Sequence, residues 1–256
     1  MVVETVIVGM MRIKNEQRWL ARVIESQLAI AERIFILDDH STDGTRDIAR
    51  SYSQVTLFES PFEGCEETRD KNWLLEHVEK EIPGGSWVVC IDGDEELAPG
   101  SATEIRRITK GSQGQHPSFR FQVLYLWDSE SQVRMDGIYA NFHRTSMFRL
   151  DPGQRFHSVT AGGFHCGNAP EPGGAPRSPV KLLHYGYMYR ADRLRKWDWY
   201  NSIDPRNVSE GYDPAFPDRR SYPHMVQGDT PIVPAHITLR HAGPLKLEPL
   251  RNHVAA

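Results

Sequence analysis

The sequence predicts an α/β protein, with a mostly parallel sheet flanked by helices, then a mixed or antiparallel second half and an irregular tail. Three observations lead there. Short apolar runs alternate with helix-period segments through the first 110 residues. Two of those runs, "RIFILDD" and "WVVCID", stay apolar on both faces, as strands covered by helices on each side do. Eight of the 17 prolines follow Asp204, where periodicity fades.

Each element can be justified in turn. "TVIVGM", Thr5–Met10, is a buried strand. "NEQRWLARVIESQLAIA" places Trp19, Leu20, Val23, Ile24 and Leu28 at helical spacing. "RIFILDD" is the second strand, and "STDGTRDIARSY" opens on capping residues and continues as a helix. "VTLFES" is the third strand, and "EETRDKNWLLEHVEK" the third helix, stopped by Pro83-Gly84-Gly85. "WVVCID" is the fourth strand. Beyond it, "SFRFQVLYLWDSESQVRMDGIYANF" predicts a long hairpin with a polar tip at Asp128–Gln132. "RTSMFRL" and "PVKLLHYGYMY" are further strands, Gly167–Pro179 a loop, and "ADRLRKWDWYNSI" a helix. The expected organisation is 1–110, 111–203 and a Pro-rich extension over 204–256 that wraps the domain or covers a site.

Composition narrows the function classes. A formal net charge of −4 argues against bulk nucleic-acid or anionic-membrane binding, which shows a basic surplus. Cys65, Cys90 and Cys166 have neither zinc nor disulfide spacing, which points to a reducing compartment. The apolar start before Arg12 is too short for a membrane span and lacks a signal-peptide pattern, so the expected location is cytoplasmic, with no integral membrane segment.

The residues that invite chemistry sit where strands end. In such sheets ligands bind at the carboxyl ends of the strands, so Asp38–Asp39 and Asp92–Asp94 should share one edge. "LDDHSTDGT" reads blandly as a strand-to-helix turn, yet capping needs one acceptor and three aspartates fall within six residues. "CIDGDEEL" reads blandly as a solvated acidic turn. Its Asp-x-Asp spacing also suits a hard divalent cation that bridges carboxylates to phosphate oxygens. Glu95 and Glu96 are expected at the start of the next turn and on its solvent face. Arg69 starts a helix, where it either pairs with Glu66 or Asp70 or helps neutralise a bound anion. His184 ends an apolar strand, and Arg190, Arg193, Arg195 and Lys196 follow as a basic helix face or as a cover for a diphosphate.

Together these residues resemble the family 2 glycosyltransferases of the GT-A fold. "RIKNE" is similar to a Lys-Asn-Glu variant of that family's first loop, and "LDDHSTDGT" to its nucleotide-sugar motif. "TRDKN" is similar to its Arg-containing helix start, "IDGDEEL" to its Asp-x-Asp motif, and "HYGY" before an Asp-Arg-x-x-Lys helix to a subset of the family. The resemblance implies a Rossmann-like donor half over 1–110, an acceptor-side half over 111–203, and an inverting, metal-dependent transfer from a UDP- or GDP-sugar. It implies that Asp38 or Asp39, with Arg69, holds the base, and that Asp92 reaches the ribose or a metal-bound water. It further implies that Asp94, with Asp92 and His184, binds Mn²⁺ or Mg²⁺, and that Arg193 and Lys196 lie on the diphosphate side.

An inverting transfer also needs a base at the acceptor hydroxyl. Relatives carry an acid in this region, often in a His-Glu pair, whereas this chain has His165-Cys166. Asp136 is then the first candidate and His165 the second, with Asp151 and His157 open. The acceptor could be a saccharide, a lipid-linked saccharide, a small molecule or a protein. Two other classes compete. A sugar nucleotidyltransferase would show a Gly-rich first loop, where "GMMRIKNE" has Gly9 alone. A non-catalytic nucleotide-sugar-binding protein would keep the fold without the base.

Overall fold

Seven residues of β1, Ile7–Ile13, run between two parallel neighbours, and that arrangement sets the site. The computed structural model describes residues 6–111, 116–135, 137–158, 165–170, 174–203 and 247–249. Asp136 and all of the proline-rich tail except 247–249 lie outside the described residues. The chain divides into two compact units, one of 6–122 with 143–183, the other of 123–142 with 184–203 and 247–249.

The first unit holds the expected α/β alternation. After β1 come α1 (Leu20–Leu28), β2 (Arg33–Asp38), α2 (Thr45–Arg50), β3 (Val55–Glu59), α3 (Glu67–Glu81) and β4 (Trp87–Cys90). They are followed by β5 (Glu95–Leu97), α4 (Ser101–Gly111), β6 (Ser118–Tyr125), and, after β7 (Gln132–Arg134), β8 (His143–Arg149) and β9 (Arg177–His184). The eight-stranded sheet has the order β3-β2-β1-β4-β8-β6-β9-β5. β3, β2, β1 and β4 are parallel, whereas β8 is antiparallel to both β4 and β6.

Helices cover both faces of the parallel part, which is why its strands read as unbroken apolar runs. Val8, Met10, Phe35, Leu37, Val88 and Cys90 pack with Leu74, Leu75 and Val78 of α3. On the other face Gln27 of α1 reaches the sheet, its Nε2 donating to the Val89 carbonyl at 3.3 Å. Gly9 makes room for it, since a Cβ there would collide with Gln27 Oε1. Each buried aliphatic side chain of this kind contributes roughly 1.5–3 kcal/mol.

The second unit corrects one expectation. The long hairpin over 118–142 is largely absent: β6 pairs with β8, and β7 pairs antiparallel with β10 (Leu247–Pro249). A Leu126–Val133 bridge and a Trp127 N–H to Gln132 carbonyl bond of 3.1 Å remain of it, and Gly137–Asn141 is a 3₁₀ turn. The physical reason is burial. β8 offers β6 the buried run Thr145–Phe148, whereas β7 is three residues long. The predicted strand "PVKLLHYGYMY" stops at His184, and α5 spans Arg190–Ile203.

Candidate active site

Parallel pairing carries Asp38 and Asp92 to the same sheet edge. Asp38 ends β2 opposite Ile13, and Asp92 lies two residues past the end of β4, whose Cys90 is opposite Met10. Both flank the carboxyl end of β1, where "RIKNE" leaves the sheet.

That loop is clasped to "DDHSTDGT" by backbone bonds. Asn15 N–H donates to Ser41 Oγ at 2.8 Å, and Asn15 Oδ1 accepts the Thr42 N–H at 2.8 Å. Glu16 N–H donates to Thr45 Oγ1 at 2.7 Å. Asn15 takes a positive φ of 56°, a conformation asparagine tolerates better than most side chains.

The paired aspartates divide in role. Asp38 accepts the Ser41 N–H at 3.0 Å through Oδ2, and its buried Oδ1 has no partner among the described residues. Asp39 is an ion-pair hub. Arg12 Nη2 lies 2.7 Å and Lys14 Nζ 3.2 Å from its Oδ2. Arg12 Nε also reaches buried Asp70 at 2.8 Å, and Asp70 in turn binds Arg69. Arg69 donates to the carbonyls of Glu63 and Gly64 and lies over the Phe62 ring. The structure thus gathers Asp38, Asp39 and Arg69 with Arg12 and Asp70.

The second acidic stretch is more tightly built than its sequence suggests. Glu95 was expected to start a turn, but it is fully buried on β5. Its Oε2 accepts the Asp92 N–H at 3.0 Å and pairs with Arg144 Nη2, while its Oε1 has no partner among the described residues. Glu96 is the outward residue and binds Arg22 at 3.0 Å. Arg144 Nη1 lies 2.9 Å from Asp92 Oδ2, and Asn168 Nδ2 donates to Asp92 Oδ1 at 3.3 Å. Burial, then the charges of Asp92 and Asp94, push the Glu95 carboxyl up to about 7 against the pull of Arg144. Asp94 is also buried, and Asp92 is 39% exposed.

Gly93, between the two aspartates, is required by packing. A Cβ there would stand 2.8 Å from Ile13 Cγ2 and 2.9 Å from Glu16 Cγ.

A buried lysine completes the frame. Lys71 Nζ donates to Asn168 Oδ1 at 2.7 Å and to the Gly167 carbonyl at 3.3 Å, and lies 3.8 Å from Glu67. Burial drags its ammonium down, but Glu67 and other nearby anionic groups outweigh that and raise it. Glu67 also accepts the Cys166 N–H at 3.3 Å, and its Oε1 lies 3.9 Å from His165 Nδ1. His165 is therefore held in the first unit beside Glu67. Cys90 is a buried core residue, and burial pushes its thiol up to about 12, so it stays protonated at neutral pH.

The remaining predicted residues lie in the second unit. His184 contacts the Tyr125 and Tyr187 rings at 4.7 and 4.8 Å. Arg193 is buried. It stacks on Trp127, donates to the carbonyls of Tyr187 and Met188, and pairs with Asp128 at 3.0 Å. Lys196 Nζ lies 5.4 Å from the Tyr187 ring centroid.

Sequence reading missed Glu95, Lys71, Arg144 and Asn168. Two of them left a signal. Lys71 falls on the stripe of Leu74, Leu75 and Val78, and Glu95 alternates with Leu97 across Glu96. Arg144 and Asn168 left none.

Among the described residues, no group of three or more His, Cys, Asp or Glu forms a ready-made metal cage. The donor set nonetheless fits a hard divalent cation. Mg²⁺-type ions are held through one or two carboxylates plus substrate phosphates. Asp92 and Asp94 would supply the carboxylates, and Glu95 Oε1, without a partner among the described residues, marks the buried polar side of that turn.

Fold and site together define an α/β protein with a charged, carboxylate-rich edge at the ends of its parallel strands. Residues 10–108 match the family Glycosyl transferase family 2, which supports that family for this stretch. An uncharacterized glycosyltransferase of Rickettsia prowazekii is 28% identical over 127 residues, covering 48% of this chain and 39% of that one. An uncharacterized protein of Mycobacterium tuberculosis is 22% identical over 222 residues, covering 81% and 53%. The chain thus spans about half the length, or less, of these relatives. Among solved structures, S. aureus TarS is similar at a TM-score of 0.48 and 11% identity, covering 91% of this chain and 50% of that one. No helix among the described residues is long and apolar enough to cross a membrane.

Proposed function

We propose that the protein is a glycosyltransferase that takes its sugar from a nucleoside-diphosphate donor and inverts the anomeric carbon. One observation carries the reading: the family match over 10–108 contains both acidic stretches, and the fold sets both at the carboxyl edge around β1. Asp38, with its partnerless buried Oδ1, faces the base, and the Arg12–Asp39–Asp70–Arg69 network shapes that end of the site. Asp94 and Asp92 would hold Mn²⁺ or Mg²⁺, which supplies charge neutralisation for the departing diphosphate. His165, beside Glu67, is the base candidate within the first unit. The acceptor is a hydroxyl or other nucleophile whose class these residues do not encode.

Isothermal titration with UDP and GDP tests the reading. One of the two should bind in the presence of Mn²⁺ or Mg²⁺, and Asp94→Ala should weaken that binding at least about tenfold, the cost of about 1.4 kcal/mol. Equal, metal-independent binding by Asp94→Ala would remove the role given to Asp94.

A further inference from the structure

Arg144 occupies a place no motif announces. β8 runs antiparallel beside β4, with Val89 paired to Met147, and beyond that pair Arg144 and Asp92 meet at the same end of the two strands. Its guanidinium forks across two carboxylates: Nη2 to Glu95 and Nη1 to Asp92 Oδ2 at 2.9 Å. The two arms differ in surroundings. Glu95 is 0% exposed, so opening the inner arm would leave a buried carboxyl without its cation, which is costly. Asp92 is 39% exposed, so the outer arm is a partly solvated ion pair that exchanges at little cost.

We propose that Arg144 is the resident counter-ion of Asp92, anchored by Glu95, and that it exchanges Asp92 for a diphosphate oxygen when the donor and its cation bind. This rests on the nucleoside-diphosphate reading above. The physical case is one of competition. A guanidinium and a divalent cation compete for the same carboxylate oxygen, so Arg144 weakens binding of the ion alone. A guanidinium fork matches phosphate as well as it matches carboxylate, so an arriving diphosphate gives the displaced Nη1 a new partner. Cation and nucleotide then bind better together than either does alone, with Arg144 carrying part of the coupling. The buried Arg144–Glu95 arm keeps the guanidinium in place throughout. This differs from a purely supporting role, in which Arg144 would fix Asp92 for the metal and its removal would weaken metal binding.

The test is an electron-paramagnetic-resonance titration of free Mn²⁺, first with MnCl₂ alone, then with UDP or GDP added. It compares wild type, Arg144→Gln and the double variant Glu95→Gln/Arg144→Gln. The double variant removes both partners of the inner arm and guards against misfolding of the single one. With Mn²⁺ alone, both variants should bind about two- to fivefold tighter than wild type, the worth of a partly exposed ion pair. The tightening of Mn²⁺ binding by nucleotide should be smaller in the variants than in wild type. Unchanged or weaker Mn²⁺-alone binding in both variants, or no Mn²⁺ binding by any of the three, overturns the proposal. If neither nucleotide tightens Mn²⁺ binding in any protein, the donor reading fails and the exchange onto phosphate fails with it, while the metal-alone comparison still decides whether Arg144 competes for Asp92.

Discussion

Replacing Lys71 with methionine should destabilise the protein far more than a surface lysine would. Lys71 is buried, and its ammonium makes a 2.7 Å bond to Asn168 Oδ1, a 3.3 Å bond to the Gly167 carbonyl and an ion pair with Glu67 at 3.8 Å. A charge-assisted hydrogen bond contributes about 1.5–3 kcal/mol, and the longer one about 1 kcal/mol. Methionine keeps most of the packing of the stem and recovers about 1 kcal/mol of it. The net loss is therefore roughly 1.5–3 kcal/mol, or about 3–12 °C in Tm for a chain of this size. Because the folded-state value of Lys71 lies above its ordinary 10.5, this contribution is complete at neutral pH and is lost only as pH rises through that raised value. Urea unfolding at constant m-value measures the change. A cycle with Glu67→Gln should show that the two losses do not add, since the residues form one network. A Lys71→Met protein within about 0.5 kcal/mol of wild type would refute the account.

Two further outcomes follow from the acidic turn. Gly93→Ala should lower stability by about 1–3 kcal/mol and weaken nucleotide binding in calorimetry, because its Cβ would push into Ile13 and Glu16 at the end of β1. Glu95 is raised from 4.5 to about 7 when folded, so between those values the unfolded chain gives up its proton first. Stability should then fall as pH rises through that window, and Glu95→Gln should flatten the fall in thermal scans from pH 4.5 to 8.

The first 110 residues were legible because their signals are local. Period-3.6 and all-apolar runs located β1 through β4 with their helices, and parallel connectivity alone sent Asp38 and Asp92 to one edge. What sequence did not show was non-local pairing. Arg144 meets Asp92 only because β8 inserts antiparallel beside β4, a choice set by burial of Met147 and Phe148 rather than by a turn signal. The same competition dissolved the expected hairpin, since β6 found a better partner in β8 than in the polar residues that follow it. Asn168 enters from a stretch that composition marked only as a loop, and its role comes from Lys71 and Asp92 together. Glu95 was misplaced because a run of four acids within five residues was read as solvated, although its alternation with Leu97 pointed inward.

That misreading bears on why so many carboxylates can share one edge. Unpaired, Asp92, Asp94 and Glu95 would raise one another's pKa values and destabilise the fold. The structure answers with cations drawn from distant parts of the chain: Arg12 and Lys14 at Asp39, Arg69 at Asp70, Lys71 at Glu67, and Arg144 at Asp92 and Glu95. Burial then sorts these pairs. Those at Asp70 and Glu95 end on fully buried carboxylates and are costly to separate, which makes them fixed parts of the frame. Asp92 is the most exposed carboxylate among them apart from surface side chains, and Lys14 is the most exposed cation, at 44%. The groups that can change partners at low cost are therefore the ones bordering the edge where a charged ligand would enter. A site built this way keeps its carboxylates in place, while leaving Asp92 able to trade an internal cation for an external one.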